Sequence, residues 1–373
     1  MAGRSVAVVG AGTAGCAAAL LLARDGYDVV LFEQAAEPGP VGAGILLQPT
    51  GLAVLDRLGV RVAGAEVRRL RCTTAAGRTL LDLSYDAIGA HGLGVHRGAL
   101  FHALFDPLED AGVELRLGTR LELPPAGFDL VVAADGARSA LRPPCRLRPY
   151  PWGALWFIGD RGDLAPDMLD QLVDGTRFLA GVLPTGPAQA SLFFSVPAAR
   201  PRACLADGLD AWRATLARHP AAARLAEQIS DPAQLQEARY LDVVMRDFHR
   251  GNVVFLGDAA HAMSPQLGQG ANLALLDAAA LADALRAGDG AAGYTRRRRA
   301  HVRFYAFASR WMTPFFQSGR DRLAMPRDAL AGPVSRFSRI GRQMVRTMAG
   351  YGLTRERERA PRPERPRRSP AAS

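Results

Sequence analysis

The feature that most constrains this chain is a glycine-rich turn set between an apolar run and an Ala/Leu-rich stretch. Arg4 to Val9 is almost continuously apolar, the pattern of a strand buried on both faces of a parallel sheet. Gly10-Ala11-Gly12-Thr13-Ala14-Gly15 follows. A helical stretch then runs from Cys16 to Arg24 and is closed by Gly26, and a second strand, Asp28 to Phe32, ends at Glu33. Each part has a physical role. Gly10 permits the tight turn, Gly12 removes a Cβ where backbone must approach a pyrophosphate, and Gly15 lets the helix pack closely on the strand. Backbone N–H groups and the positive end of the helix suit phosphates. Glu33, about 20 residues after the turn begins, is placed to accept both ribose hydroxyls of an adenosine. Strand, turn, helix, strand and acid in this order predict a βαβ dinucleotide-binding unit. The motif alone does not choose between FAD and NAD.

Further along, Gly51 to Leu58 reads as a short helix and Arg97 to Ala111 as a longer one. Phe128 to Ala134 is again fully apolar and ends in Asp135-Gly136. From about Pro143 to Arg250 the character changes. Ala154 to Ile158, Phe178 to Leu183 and Ser191 to Val196 alternate, carry aromatics and sit between Pro/Gly turns, which predicts an antiparallel sheet. One amphipathic helix, about Gly208 to Ile229, interrupts it. Asn252 to Leu256 returns to the buried-strand pattern, Gly257-Asp258 follows, and Ala271 to Arg286 reads as a long helix. Helices are expected to continue to about Gly350.

Charge and cysteine usage narrow the function classes. The net charge of +10 invites a nucleic-acid reading, yet the chain has no lysine, and its basic side chains concentrate at Arg296 to Arg299 and in Thr354 to Ser373. The Arg, Pro and Glu-rich tail has too little apolar surface to offset its ordering entropy, so a solvated, disordered segment is expected over 351–373. An electrostatic contact with anionic lipid or a partner protein is the alternative role for it. No aromatic-interleaved basic patch accompanies it, so no nucleic-acid partner is expected. Cys16, Cys72, Cys145 and Cys204 are scattered without CxxC spacing, which argues against zinc or a disulfide framework and fits a reducing cytoplasm. His91, His96, His102, His219, His249 and His301 show no metal-ligand spacing, so no metal is expected. No apolar run approaches the roughly 18 residues of a spanning helix. Ser5 to Val9 runs straight into the glycine turn with no cleavage site, a buried strand rather than a signal peptide.

Two later motifs add to the first. Asp135-Gly136-Ala137-Arg138-Ser139 follows one buried strand. Gly257-Asp258-Ala259-Ala260-His261 follows another, with Ser264-Pro265 and Gly268-Gln269-Gly270-Ala271-Asn272 beyond it. With these three motifs in order, residues 4 to 320 resemble the class A flavoprotein monooxygenases. These are the para-hydroxybenzoate hydroxylase-like group that includes salicylate and ubiquinone-pathway hydroxylases. The resemblance implies an α/β fold with a discontinuous Rossmann-like FAD-binding domain (1–70, 87–142 and 251–290). It also implies an inserted, mostly antiparallel β-sheet substrate domain (71–86 and 143–250) and a C-terminal helical segment (291–350). It implies FAD contacts from Ala14 in the fingerprint turn, from Arg97 near the phosphates, and from Asp258 at a ribityl hydroxyl. Gly268, Gly270 and Ala271 belong to the loop facing the flavin pyrimidine ring, where backbone donors and a helix N-terminus stabilise negative charge on reduced flavin. Asp135 is similar to the family's aspartate implicated in both FAD and NAD(P)H binding. His261 is tempting as a base, but it lies in the structural part of its motif, where packing or orienting the turn is the simpler role.

As the resemblance implies, NAD(P)H docks transiently and reduces the flavin, O2 forms a flavin C4a-hydroperoxide, and the terminal oxygen passes to an electron-rich carbon of an aromatic or conjugated substrate. The substrate is expected between the flavin and the inserted sheet. Trp152, Trp156, Phe178, Phe193 and Phe194 are candidate liners, although core packing accounts for any one of them. Tyr240 is a candidate for activating a phenol, with a structural tyrosine as the plainer reading, and no residue is singled out as the catalytic base. An oxidase or reductase of the same fold acting on an isoprenoid or polyketide stays open, as does a non-catalytic flavoprotein. A flavin-dependent halogenase is excluded: that family depends on a lysine and a WxWxIP motif, and Trp152-Gly153-Ala154-Leu155-Trp156 does not match it.

Overall fold

The computed structural model describes residues 4–39, 42–336 and 338–352. The expectation of a disordered tail falls, from residue 353 onward, outside them. A six-stranded sheet organises the cofactor side, in the order His249–Arg250, Val253–Phe255, Leu130–Ala133, Ser5–Val9, Asp28–Phe32, Glu114–Arg116. All its pairs are parallel except the first. Val6, Val8, Leu31, Val131, Val132 and Val254 are fully buried, as unbroken apolar strands covered on both faces require. Helix Gly270–Arg286 packs on helix Thr13–Arg24, so residues nearly the whole domain apart in sequence share one core.

A seven-stranded sheet forms the second layer, in the order Gln236–Val244, Arg146–Asp160, Gln189–Pro197, Phe178–Pro184, Met168–Asp174, Arg69–Thr74, Thr79–Ser84. Only the pairing of Met168–Asp174 with Arg69–Thr74 is parallel. Between the two large sheets the chain builds a small antiparallel one from Gly44–Leu47, Gly92–His96 and Ala65–Val67.

Strand alternation gives the seven-stranded sheet two different faces. Leu155, Phe157, Val182, Leu192 and Phe194 point to one side, where Trp212, Leu216 and Leu225 of two short helices cover them. Trp156 pairs with Phe193, and Trp152 with Pro197, so Trp152, Trp156 and Phe193 point the other way. The single helix expected over Gly208 to Ile229 is two, Leu209–Leu216 and Pro220–Ala226. Pro220 has no N–H to continue the first and takes the first position of the second, where none is needed. For a related reason the helix expected to reach Ala111 ends at Phe105, and Pro107 sits in a 3-10 turn, Asp106–Leu108.

The C-terminal helices are Gly290–Phe316, Ala324–Arg336 and Ser338–Met348. The Arg296–Arg299 run lies on the first of them, and every guanidinium faces a carboxylate. Arg296 and Arg297 reach Asp289, Arg298 reaches buried Asp277 at 2.6 Å, and Arg299 reaches Asp247. The run is a set of ion pairs and not an open basic patch. No helix among the described residues is long and apolar enough to cross a membrane.

Candidate functional site

The glycines of the first turn divide by what surrounds them. Gly10 has φ +100°, and a Cβ there would lie 2.6 Å from the Ala134 carbonyl oxygen. A Cβ at Gly15 would lie 1.9 Å from the Gly10 oxygen. These two close the turn onto the sheet and do not line the cavity in front of it. A Cβ at Gly12 would meet nothing within 4 Å, because it would project into that cavity, which has a volume of about 660 Å³. Such a volume falls in the range of small-molecule and cofactor sites, roughly 300–1,000 Å³. Glu33 also faces it. Its carboxylate accepts the Ala11 N–H at 2.8 Å and the Ala35 N–H at 2.9 Å, so the acid that could hold a ribose also fixes the turn.

The other two turns reach the same cavity. Gly136, with φ +81°, and Asp258, whose carboxylate is exposed, line it together with Ala14, Arg97, Gly270 and Ala271. Asp135 does not line it. One of its oxygens accepts the Ala140 N–H at 2.9 Å and caps its own turn, while the other is buried with no partner among the described residues. Arg142, which the sequence does not single out, joins the two turns. Its guanidinium donates to the Ala137 and Ala259 carbonyls, each at 2.9 Å. An arginine a few residues past a turn carries no local signal, since its partner turn is 117 residues away.

The loop after Pro265 presents backbone to the site. Gly268 is exposed with φ +59° but does not line the cavity, whereas Gly270 and Ala271 do. Gln269 and Asn272 turn inward and are buried. Asn272 accepts the Gln48 N–H at 2.7 Å and donates to the Leu46 and Gly268 carbonyls. Helix Gly270–Arg286 starts here, so its first N–H groups and positive end face the cavity.

Behind the Gly257-Asp258 turn lies a buried ionic network. Asp277 accepts the Gly257 N–H at 2.9 Å and binds His261 at 2.5 Å and Arg298 at 2.6 Å. Burial opposes its charge, but His261 and Arg298 outweigh burial and hold the carboxyl down at about 2. His261 is thus an orienting group for the turn. His301, bonded to Arg298, is pushed down to about 4 by burial and then by the guanidinium charge.

Arg97 begins helix Arg97–Phe105, whose N-cap is His96: its Nδ1 accepts the Gly98 N–H at 3.0 Å. The guanidinium passes over Gly42, where a Cβ would lie 2.8 Å from Nη1. It links the cavity to the sheet. Tyr240 lies beside Trp156 and within reach of the Arg97 charge, although burial dominates and pushes its phenol up to about 12. Trp156 and Phe193 rings lie 5.3 Å apart on this face. Of the candidate liners, Phe178 and Phe194 belong to the helix-covered core, because their strand positions point them away from the cofactor side. Among the described residues no group of three or more His, Cys, Asp or Glu could hold a metal ion.

These residues fit FAD. The Cβ-free side of Gly12 leaves room for a pyrophosphate, Glu33 and Asp258 offer acceptors to two sets of hydroxyls, Arg97 offers a cation, and a helix N-terminus meets the far end. Fold and site together define an FAD-dependent oxidoreductase. Two known domain families match: "FAD binding domain" at residues 127–303, and "NAD(P)-binding Rossmann-like domain" at residues 8–63. The chain is 32% identical, over 80% of its length and 83% of the relative's, to 3-amino-4-hydroxybenzoate 2-monooxygenase PtnB3 of Streptomyces platensis. Pseudomonas aeruginosa PqsL, solved with 2-aminobenzoylacetate, is 26% identical with a TM-score of 0.77, covering 86% of this chain and 98% of PqsL. Klebsiella pneumoniae HpxO, solved with FAD and uric acid, shares the fold with a TM-score of 0.77 at 23% identity, covering 93% and 96%. The chain belongs to the FAD-dependent aromatic-ring monooxygenases, the class A flavoprotein monooxygenases.

Proposed function

We propose that this monooxygenase takes electrons from transiently docked NAD(P)H and hydroxylates a small aromatic ring bearing a hydroxyl or amino group. Gly12, Ala14 and Glu33 would hold FAD at the adenosine and pyrophosphate, Arg97 near the phosphates, and Asp258 with Gly270 and Ala271 at the ribityl chain and ring. Bound FAD supplies the redox chemistry, accepting two electrons and activating O2. One oxygen atom enters the substrate and the other leaves as water. The observation that carries the substrate reading is the Arg97–Tyr240–Trp156 connection, which joins the cofactor cavity to an aromatic sheet face. Trp156 and Phe193 offer flat apolar surface to a ring. Tyr240, held protonated by burial, donates a hydrogen bond to a ring substituent and does not act as a base. 3-Amino-4-hydroxybenzoate, the substrate in the relative's name, is the first compound to try.

The test is a screen of phenols and aminophenols for faster NAD(P)H oxidation, repeated under isotopically labelled O2. One labelled atom in a hydroxylated product is expected. NAD(P)H consumption that no aromatic compound accelerates, with all oxygen recovered as hydrogen peroxide, would make the chain an oxidase.

A further inference from the structure

We propose that the C-terminal segment, residues 338–352, positions the flavin ring, and that Gln269 is the positioning residue through which it acts. This rests on the reading that the Gly268–Asn272 loop faces the flavin. Gly268 and Gly270 are exposed and Ala271 is half-buried, and Gly270 and Ala271 line the cavity, so what the loop offers a cofactor is backbone. Gln269 is flanked by two glycines, the residues least able to fix a backbone by themselves. Its conformation is therefore set by where its side chain is held. That side chain is 2% exposed, and its Nε2 donates to Leu267 oxygen at 3.2 Å and to Met348 oxygen at 2.7 Å. The second bond leaves the loop and ends on the last residue of helix Ser338–Met348.

The receiving end is itself secured. The last carbonyls of a helix have no intrahelical partner, and here four consecutive carbonyls, the helix's last two and the two that follow it, meet side chains from elsewhere. Tyr305 donates to Thr347 oxygen at 2.6 Å, Gln269 to Met348 oxygen, and Thr50 through Oγ1 to Ala349 oxygen at 3.2 Å, while His301 Nε2 lies 2.8 Å from Gly350 oxygen. The Gly352 N–H returns to Tyr305 Oη at 3.0 Å. Val345 and Ala349 are buried against Leu46 and Tyr85, beside the strand that Asn272 grips from the other side of the loop. Gly350, at φ +97°, passes so close to Thr50 that a Cβ would lie 1.9 Å from its Oγ1. The loop is thus held between two supports: strand Gly44–Leu47 through Asn272, and the C-terminal segment through Gln269. His301 also bonds Arg298, and through Asp277 the same segment reaches the Gly257-Asp258 turn.

The experiment uses the full-length, FAD-loaded protein. Wild type is first shown to bind FAD and to give a visible circular dichroism spectrum of bound flavin. Without FAD the reading of the site fails, and the positioning role is not what failed. Gln269→Leu removes the donor and keeps the bulk. It is expected to keep FAD, to raise its dissociation constant up to about tenfold, which is about 1.4 kcal/mol, and to change the flavin dichroism and fluorescence with little change in unfolding temperature. A chain ending at residue 337 is expected to change the flavin spectra in the same direction, and adding Gln269→Leu to it should bring no further change, since the shortened chain has already lost the tie to Gln269. If the shortened chain is insoluble, Thr50→Val with Tyr305→Phe replaces it: two outer ties are lost while Gln269 remains, and the dichroism should move the same way. Flavin spectra of Gln269→Leu identical to wild type would overturn the proposal, as would independent, additive effects of the two changes.

Discussion

The cofactor side and the inserted sheet hold their information differently. On the cofactor side, function rests on backbone. A turn that must bring N–H groups to a pyrophosphate needs glycine at fixed positions, and the acid that closes it must end the next strand. Gly10, Gly12, Gly15 and Glu33 therefore belong to one continuous strand–helix–strand stretch of the sequence and also meet in space. On the sheet, the proposed substrate surface is built from side chains of separate strands. Trp156, Phe193 and Tyr240 meet only because three antiparallel strands pair in one register. A shift of one residue would exchange Phe193 for Phe194.

The sharpest break between the two regions comes from a pair of glycines three residues apart. Gly15→Val forces a side chain into the Gly10 carbonyl and should abolish soluble, folded protein. Gly12→Val, at φ −78°, strains no backbone, and its Cβ has no protein atom within 4 Å. It should leave the unfolding temperature of the apo-protein unchanged while weakening FAD at least about 100-fold, roughly 2.8 kcal/mol. Equal losses of folding in both variants, seen by circular dichroism, would erase the distinction between closing the turn and clearing the cavity.

A second pair tests the sheet's two faces. Phe194→Ala opens a hole beneath Trp212 and should cost about 3–5 kcal/mol in denaturant unfolding. Trp156→Ala, on the half-buried face, should cost less stability yet lose most of the substrate-stimulated NAD(P)H oxidation. The reverse pattern would assign the faces the other way round.

Smaller in scale is the fixing of the first turn. Glu33→Gln gives up charge-assisted bonds to the Ala11 and Ala35 N–H groups, each type worth about 1.5–3 kcal/mol. FAD titration should show about 10- to 100-fold weaker binding, and an unchanged affinity would remove Glu33 from the site.

The smallest effect is a pH dependence behind the third turn. His301 has its pKa lowered to about 4 from an ordinary value near 6.5, so the unfolded chain binds more protons between these values. Its neutral form contributes stability that is fully present above pH 6.5 and is lost as pH falls towards 4. Asp277, held at about 2, adds a separate loss only below the ordinary carboxylate range. His301→Gln should flatten the upper part of the stability profile, and a slope between pH 6.5 and 4 identical to wild type would assign that titration elsewhere.

These contrasts explain how much was legible in sequence. The parallel sheet, the three turns and the change of character near Pro143 were readable, because buried strands and glycine turns leave local patterns. The sequence pointed to Asp258, Glu33 and Arg97, and the structure places all three at the cavity. It did not separate Phe193 from Phe194, since alternation shows that two faces exist but not which one meets the cofactor. Arg142 and the Asp277–Arg298 pair were silent because their partners lie on other elements. Asp135 matched a motif, yet its carboxylate caps its own turn.

The central claim is that turns far apart in sequence grip a single FAD. It is tested most directly by titrating FAD into apo-protein carrying Glu33→Gln, Asp258→Ala or both. One FAD per chain is predicted, with each change weakening binding and the two effects adding in free energy, as expected for separated contacts on one ligand. Full-strength binding in Asp258→Ala, or a second FAD bound per chain, would contradict it.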